Sequence, residues 1–356
     1  MTGSIGSAPY RHGVADLHVD GRPTRVLVDT AGTALCVRQS VAEELGLTIH
    51  EWLGDPSGAP IAVLDPPELR AGDAVLDTEG LVAYGFEDVR ALGLEARGAD
   101  VLLPAAVLRR HHVVLDDPAG ELHVGPPGSL ERRGVAVPVT IDGATGIVMT
   151  TAEVDGSPLD LVIDTAVGCC LVSDEIVRPW QAGHADWPAS ASAVGPANMT
   201  GLPTEARVPM LRVPLVQWGP FSLPQVAFAW RAGADVAAAG SLGGNALRLF
   251  RLDVDWSAGS VRAEQGLPFG DDDTELVGVV LGLDADGGYF VTATVSGLDD
   301  VHPGDRFVAV DGRDVDGMTL PDVLDLLRGT AGDRHRLSLR RDDEAIEVDA
   351  PVLRLL

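Results

Sequence analysis

The chain has 356 residues, with 53 acidic against 26 basic side chains and a formal charge of −27. Such a charge repels phosphate backbones and anionic lipid surfaces, which excludes nucleic acid and the membrane surface as expected partners. The length exceeds one ordinary domain of roughly 100–200 residues, and 46% hydrophobic content with only 4% aromatics calls for a core of Val, Leu, Ala and Ile.

The opening segment, MTGSIGSAPYRHG, shows no charged start leading into an apolar stretch. No apolar run approaches the roughly 20 residues that cross a bilayer. A cytoplasmic location is the expectation. Cys36, Cys169 and Cys170 are too few and too unevenly spaced for a disulfide framework or a zinc site, so neither metal nor cofactor is expected.

From His18, HVDGRPTRVLVDTAGTALCV predicts a strand, a turn at Asp20-Gly21, an apolar strand ending in Asp29-Thr30-Ala31, and a third strand. SVAEELGL then predicts a helix, with Ser40 and Glu43 at capping-box spacing and Gly46 as its stop. Further on, AAVLRR predicts a short helix that feeds a strand and an Asp-Pro-Ala-Gly turn. His111 and His112 read as exposed residues at that helix end, since no further ligands accompany them.

From Glu153, EVDGSPLDLVIDTAVGCCLV repeats the first copy in register. Asp155-Gly156 matches Asp20-Gly21, Pro158 matches Pro23, and Asp164 matches Asp29, all at one constant offset. SDEIVRPW predicts a helix shorter than the first and broken by Pro179. GNALRLFRLDVDWSAG then repeats the later elements: Leu247 matches Leu108, Asp255 matches Asp116, and Gly259 matches Gly120. Cys169 and Cys170 read as small buried hydrophobes, and Trp187, Trp218 and Trp230 as packing residues.

The Pro/Gly/Asp-rich segment LPFGDDDTE, residues 267–275, ends the repeat. Beyond it, VGVVLGL, YFVTATV, DRFVAVDG, RLSLRR and AIEVDAPV predict strands around one amphipathic helix at Leu320–Leu327. DADGG from Asp284 is no calcium loop, because Val295 stands where the bidentate acid belongs. The expected division is 10–130 and 131–266 for two β-rich halves paired about a pseudo-twofold axis, and 275–356 for a third domain.

An Asp that closes an apolar strand is poorly explained by packing, because a lone buried carboxylate costs several kcal/mol. If the pseudo-twofold axis brings Asp29 and Asp164 together, they share one proton and titrate as a pair. One then serves as base toward a water and the other as acid toward a carbonyl oxygen. Duplication within one chain puts both carboxylates in a single molecule, so the site is expected to need no second copy.

On these residues both copies resemble the pepsin-like and retropepsin-like aspartic proteases. The resemblance implies a mainly β, bilobal fold, with Asp29 and Asp164 as the catalytic dyad and Thr30 and Thr165 as hydroxyls that cross-brace the two loops. Leu242-Gly243-Gly244 fits the hydrophobic-Gly element of that family, whereas its counterpart Leu102-Leu103-Pro104 lacks the Gly. Both motifs read Asp-Thr-Ala in place of Asp-Thr-Gly. Ala31 and Ala166 therefore add a Cβ beside the dyad, and Val167 stands where Ser or Ala is usual. The flap candidates are Pro56–Leu64 in the first half and Ala193–Pro203 in the second, the latter around Gly195, Asn198 and Met199. Neither carries the Tyr of pepsin-like flaps.

The segment VSGLDDVHPGDRFVAVDGRDV resembles bacterial PDZ domains. That resemblance implies a groove for an extended C-terminal peptide, its carboxylate held by a loop at Gly278, Val279, Val280, Leu281, Gly282 and Leu283. Together the two resemblances imply an aspartic endopeptidase that hydrolyses an extended peptide with an activated water, aided by PDZ recognition. Two other readings stay open, since fold does not fix function. The dyad can perform acid–base chemistry on a non-peptide biosynthetic substrate, or the chain can bind peptides without cleaving them.

Overall fold

The computed structural model describes residues 4–54, 60–87, 94–95, 97–190, 209–230, 239–270, 274–284, 287–295, 297–342 and 344–356. Their architecture is mainly β, with five α-helices among the described residues: α1 Gln39–Leu45, α2 Ala105–Leu108, α3 Asp174–Gly183, α4 Gly244–Leu247 and α5 Leu320–Leu327.

The two copies fold alike. Strand Val14–Val19 returns as Arg22–Asp29 through Asp20 (φ 47°) and Gly21 (φ 79°). In the second copy Val148–Val154 returns as Ser157–Ile163 through Asp155 (φ 52°) and Gly156 (φ 73°). Two successive left-handed residues suit the strand twist of a tight hairpin, and Asp-Gly supplies them at low cost. Each Asp-bearing strand then gains a parallel neighbour from later in its own copy. Leu27 lies opposite Leu102, and Val162 lies opposite Ser241. Parallel strands covered on both faces require continuous apolar runs, and Val26, Leu27, Val28, Leu161 and Ile163 are buried accordingly.

Strands His112–Asp116 and Phe250–Asp255 join the copies in an antiparallel pair. His112 faces Asp255 while Asp116 faces Arg251. Since Asp116 and Asp255 are repeat equivalents, the same pairing recurs on either side of a local twofold axis, where Val114 faces its own equivalent, Asp253. A single apolar core runs from Ala8 to Ala263, and a second runs from Leu276 to Val352.

Three local expectations need correction. Ser40 makes no cap: the chain is still extended at Arg38, so Ser40 falls inside the first turn of α1, while Gln39 Nε2 donates to Glu43 Oε1 at 3.0 Å. Gly46, at φ 69°, does end that helix. In the second copy α3 continues through Pro179 to Gly183. The missing N–H removes one helical bond, but Trp180 in the following turn packs on Phe228 and Trp187, with ring centroids at 5.7 and 6.1 Å. His111 and His112 are buried, not exposed. His111 Nε2 accepts the Asp77 N–H at 2.9 Å. The His112 Nδ1 accepts the Leu130 N–H, which leaves Nε2 to donate to Asp253 Oδ1 at 2.8 Å.

The C-terminal sheet runs in the order Glu275–Val277, Glu344–Arg354, Arg334–Arg341, Arg306–Val310, Tyr289–Thr294, Val279–Leu283. Helix α5 packs its Val323, Leu324 and Leu327 into that sheet's core, and Thr319 with Asp322 forms its capping box. In the Pro-Gly-Asp turn, buried Asp305 takes a bidentate pair from Arg341 at 2.7 and 2.8 Å. Among the described residues this unit touches the repeat region in several places, two of them at Asp325 and Leu356. Asp325 of α5 pairs with Arg11 at 2.5 Å and lies 3.6 Å from His12 Nε2, and Leu356 packs with Cys169, Met210 and Ala229.

Candidate active site

Asp29 closes the strand Arg22–Asp29, and Asp164 follows directly on Ser157–Ile163. The next residues interlock across the interface between the copies. The Thr30 N–H donates to Thr165 Oγ1 at 3.3 Å, and the Thr165 N–H donates to Thr30 Oγ1 at 3.2 Å. Each hydroxyl then reaches past its partner: Thr30 Oγ1 donates to Ile163 O at 2.6 Å and Thr165 Oγ1 to Val28 O at 2.5 Å. Both threonines are buried. A reciprocal brace of this kind fixes the spacing of the two Asp-bearing strand ends.

Each carboxylate is held by its own loop. Asp29 Oδ1 accepts the Ala31 N–H at 2.9 Å. Asp164 Oδ1 accepts the Ala166 N–H at 3.0 Å and the Val167 N–H at 3.3 Å. The loops are tied from behind at equivalent points: the Ala105 N–H at the start of α2 donates to Gly32 O, and the Gly244 N–H at the start of α4 donates to Val167 O, both at 2.9 Å. Ala31 and Ala166 keep negative φ values, so an Ala costs no left-handed strain in either motif. Glycine is required nearby instead. A Cβ on Gly32 would stand 2.5 Å from Asp29 Oδ2, and one on Gly243 would stand 2.3 Å from the Cys169 carbonyl oxygen.

The two carboxyl groups perturb each other. Burial pushes Asp29 up from its ordinary range, opposed by the backbone N–H groups of Ala31 and Gly32. Burial, and then the charge of Asp29, push Asp164 up to about 7, against the Ala166 and Val167 N–H groups and the charge of Arg97. Both side chains stay partly open to solvent. Burial thus raises both carboxyls, and the charge of Asp29 adds to the rise at Asp164. Cys36 stays a thiol beside them, pushed up to about 12 by burial and then by the Asp29 charge. No group of three His, Cys, Asp or Glu residues with metal-binding geometry occurs among the described residues.

The remaining sequence candidates fall elsewhere. Gly195, Asn198 and Met199 lie outside the described residues, as does the start of the Pro56–Leu64 candidate. The described part of that candidate, Pro60–Leu64, pairs antiparallel with Ile49–Gly54, on which Trp52 is exposed. The carboxylate-loop assignment needs correction: Val279, Val280, Leu281, Gly282 and Leu283 form a strand paired with Tyr289–Thr294, and of the six residues only Gly278 lies between strands. The continuous buried apolar run Val279, Val280 and Leu281 suits a covered strand, and a Cβ at Gly278 would collide with Val295 at 2.0 Å. Among the described residues this strand pairs on one side alone, which leaves its other edge open.

Sequence reasoning missed Arg97. It is buried at the back of the second loop, where its Nη2 donates to Ala166 O at 2.8 Å. Nothing in the local sequence marks it among the basic residues of the chain. Gly32 was equally silent, being one glycine of 42.

Residues 298–341 match the PDZ domain family, and the chain therefore carries a PDZ domain there. No curated protein matches the chain. The solved structure of a photosystem II D1 C-terminal processing protease is similar over 23% of this chain and 24% of that one, at 25% identity and a TM-score of 0.22. The chain thus spans about a quarter of that protein's length. No helix among the described residues is long and apolar enough to cross a membrane.

Proposed function

We propose that the chain is an aspartic-dyad peptidase. Asp29 and Asp164 share one proton and activate a water against the carbonyl of an extended peptide, within a bilobal fold of the aspartic-protease type built from residues 10–130 and 131–266. The observation that carries this reading is the reciprocal Thr30–Thr165 hydrogen bonding directly after two equivalent strands that each end in Asp. It supports a reading in which the two carboxyls lie together, and burial, then the charge of Asp29, raises Asp164 so that it can keep a proton. In the reaction the ionised partner takes a proton from water as its oxygen attacks, while the protonated partner donates to the carbonyl oxygen. As the C–N bond then breaks, the partner that took the water proton gives it to the leaving amine and the other takes a proton back from a hydroxyl of the gem-diol, which restores the pair. Thr30, Thr165, Ala31 and Ala166 hold the two loops in position.

The PDZ domain supplies a second peptide contact. PDZ domains bind extended peptides by adding them to a sheet edge, and the open edge of Val279–Leu283 is the available strand. The decisive experiment is digestion of a diverse peptide mixture between about pH 3 and 8 by the wild-type chain and by Asp29→Asn and Asp164→Asn variants, read by mass spectrometry. Cleavage by the wild type and by neither variant is the expected result. Absence of cleavage at every pH overturns the peptidase and leaves chemistry on a non-peptide substrate, or peptide binding alone.

A further inference from the structure

We infer that Arg97 is a positioning residue for the dyad, holding from the first copy the two peptide planes through which the second copy grips Asp164. The inference rests on the dyad reading above.

The geometry is specific. Asp164 Oδ1 accepts two backbone N–H groups, from Ala166 and Val167. Each belongs to a peptide plane whose opposite end is the preceding carbonyl, Thr165 O for the first and Ala166 O for the second. Both carbonyls are backed by the first copy. Gly13 sits so close to Thr165 O that a Cβ would approach it to 2.4 Å, and Gly13 has the left-handed φ of 82° that lets the chain turn there. Arg97 Nη2 donates to Ala166 O at 2.8 Å, and Nη1 of the same guanidinium donates to the carbonyl of His12, the residue before Gly13. One buried side chain therefore links the hairpin tip at His12-Gly13 to the loop at Thr165-Ala166. If the Ala166–Val167 plane rotates, Asp164 loses its Val167 donor.

Charge adds to position. A buried guanidinium is costly unless its donors are satisfied, and burial holds Arg97 down to about 10 while it still carries its proton at neutral pH. The titratable groups facing it are Tyr10, Asp164, Asp117 and Cys169. Its pull on Ala166 O polarises that peptide and strengthens the Val167 N–H as a donor to Asp164. Its charge also favours the ionised form of Asp164 directly. No hydrogen bond from an arginine to Ala31 O occurs among the described residues, so the brace makes the two copies unequal at the point where their motifs are otherwise alike.

The test compares full-length wild type with Arg97→Met and Arg97→Lys. Met removes charge and both donors at similar length. Lys keeps the charge but lacks the fork that spans two carbonyls. Three quantities are read: kcat and KM on a peptide the wild type cleaves, the carboxyl carbon shift of Asp164 against pH, and hydrogen exchange at the Val167 amide. In the Met variant kcat falls roughly tenfold or more with KM little changed, and the Asp164 titration moves up by about one unit. In both variants the Val167 amide exchanges at least about tenfold faster. Lys keeps the charge, so its Asp164 titration moves up less than that of the Met variant.

An unchanged Val167 exchange rate in the Lys variant overturns the inference, whether or not the Met variant folds. So does a folded Met variant with the wild-type Asp164 titration. If wild type cleaves nothing and the Val167 and Asp164 signals still respond as expected, the peptidase reading fails while the positioning role of Arg97 stands.

Discussion

Thr30 and Thr165 exchange hydrogen bonds reciprocally, each backbone N–H donating to the other's hydroxyl at 3.3 and 3.2 Å. Neither hydroxyl has a substitute within its own copy, and each also caps a carbonyl of the opposite strand. Thr30→Val and Thr165→Val should each destabilise the chain by about 2–3 kcal/mol, because a buried donor and a carbonyl lose their partners. The double variant should cost less than the sum, by about 1 kcal/mol or more. Urea unfolding of the three variants checks both figures, and Thr→Ser at either site should stay near wild type.

The pH dependence follows from Asp164. Its folded-state pKa of about 7 lies above the ordinary 3.8, so the native state binds a proton that the unfolded chain has released. The stabilisation from the neutral form is present in full below about 4 and is lost as pH rises through about 7. Asp164→Asn should therefore unfold at higher urea than wild type at pH 8, by the equivalent of about 2 kcal/mol after allowance for the group's partial exposure, with little difference at pH 4. Hydrolysis should decline over the same upper range, since a doubly ionised pair has no acid to offer. Unfolding midpoints at the two pH values and a pH profile of cleavage are the measurements.

Gly32→Ala tests the site without replacing a titrating group. The new methyl would meet Asp29 Oδ2 at 2.5 Å. A carboxylate can swing away, so stability should change by only about 1 kcal/mol, while peptide cleavage falls at least about tenfold through the displaced base. Gly243→Ala meets backbone instead, at Cys169 O. It should cost about 3 kcal/mol or more, visible as a lower melting temperature.

Asp253 sits on the local axis and accepts from buried His112. Asp253→Ala leaves that imidazole without its acceptor, and unfolding should become easier by about 3 kcal/mol. The loss should be equal for both repeat halves, so tryptophan fluorescence and far-UV circular dichroism should report one coincident transition.

Within the PDZ domain the Arg341 guanidinium paired with Asp305 holds that carboxyl below the usual carboxylate range, aided by the His302 N–H. A depressed carboxylate stabilises the fold above its unfolded pKa and loses that contribution as pH falls through the depressed value. Asp305→Asn should weaken the domain by about 2 kcal/mol at pH 7 and by progressively less toward pH 3. Amide exchange in the strands Arg306–Val310 and Arg334–Arg341 reads this locally.

Much of the architecture was legible because it was written twice. Asp20-Gly21 and Asp155-Gly156 announce hairpins by chemistry alone, and the same spacing from turn to Asp29 and to Asp164 makes two strands equivalent. Leu320–Leu327 was legible for a different reason, since an amphipathic apolar stripe of that length has few alternatives. What stayed hidden depends on contacts between distant segments. Ser40 has the spacing of a cap, but the preceding strand sets where the helix begins. Pro179 reads as a break, but aromatic packing around Trp180 carries the helix through. His112 looks like a surface residue until Phe250–Asp255 arrives from the other copy and covers it. Arg97 leaves no local trace at all, since its meaning lies in two carbonyls remote in sequence.

The reciprocal threonine contacts carry a consequence for how the molecule could be divided. A cut in the connection between the copies, for example near Gly134, would give two polypeptides, each holding one aspartate and each lacking the hydroxyl that braces it. Apart, neither would assemble a dyad; mixed, the pair would regain it only where both fragments are present at once. On the dyad reading proposed above, the two halves would serve as complementary tags whose meeting is reported by recovery of cleavage.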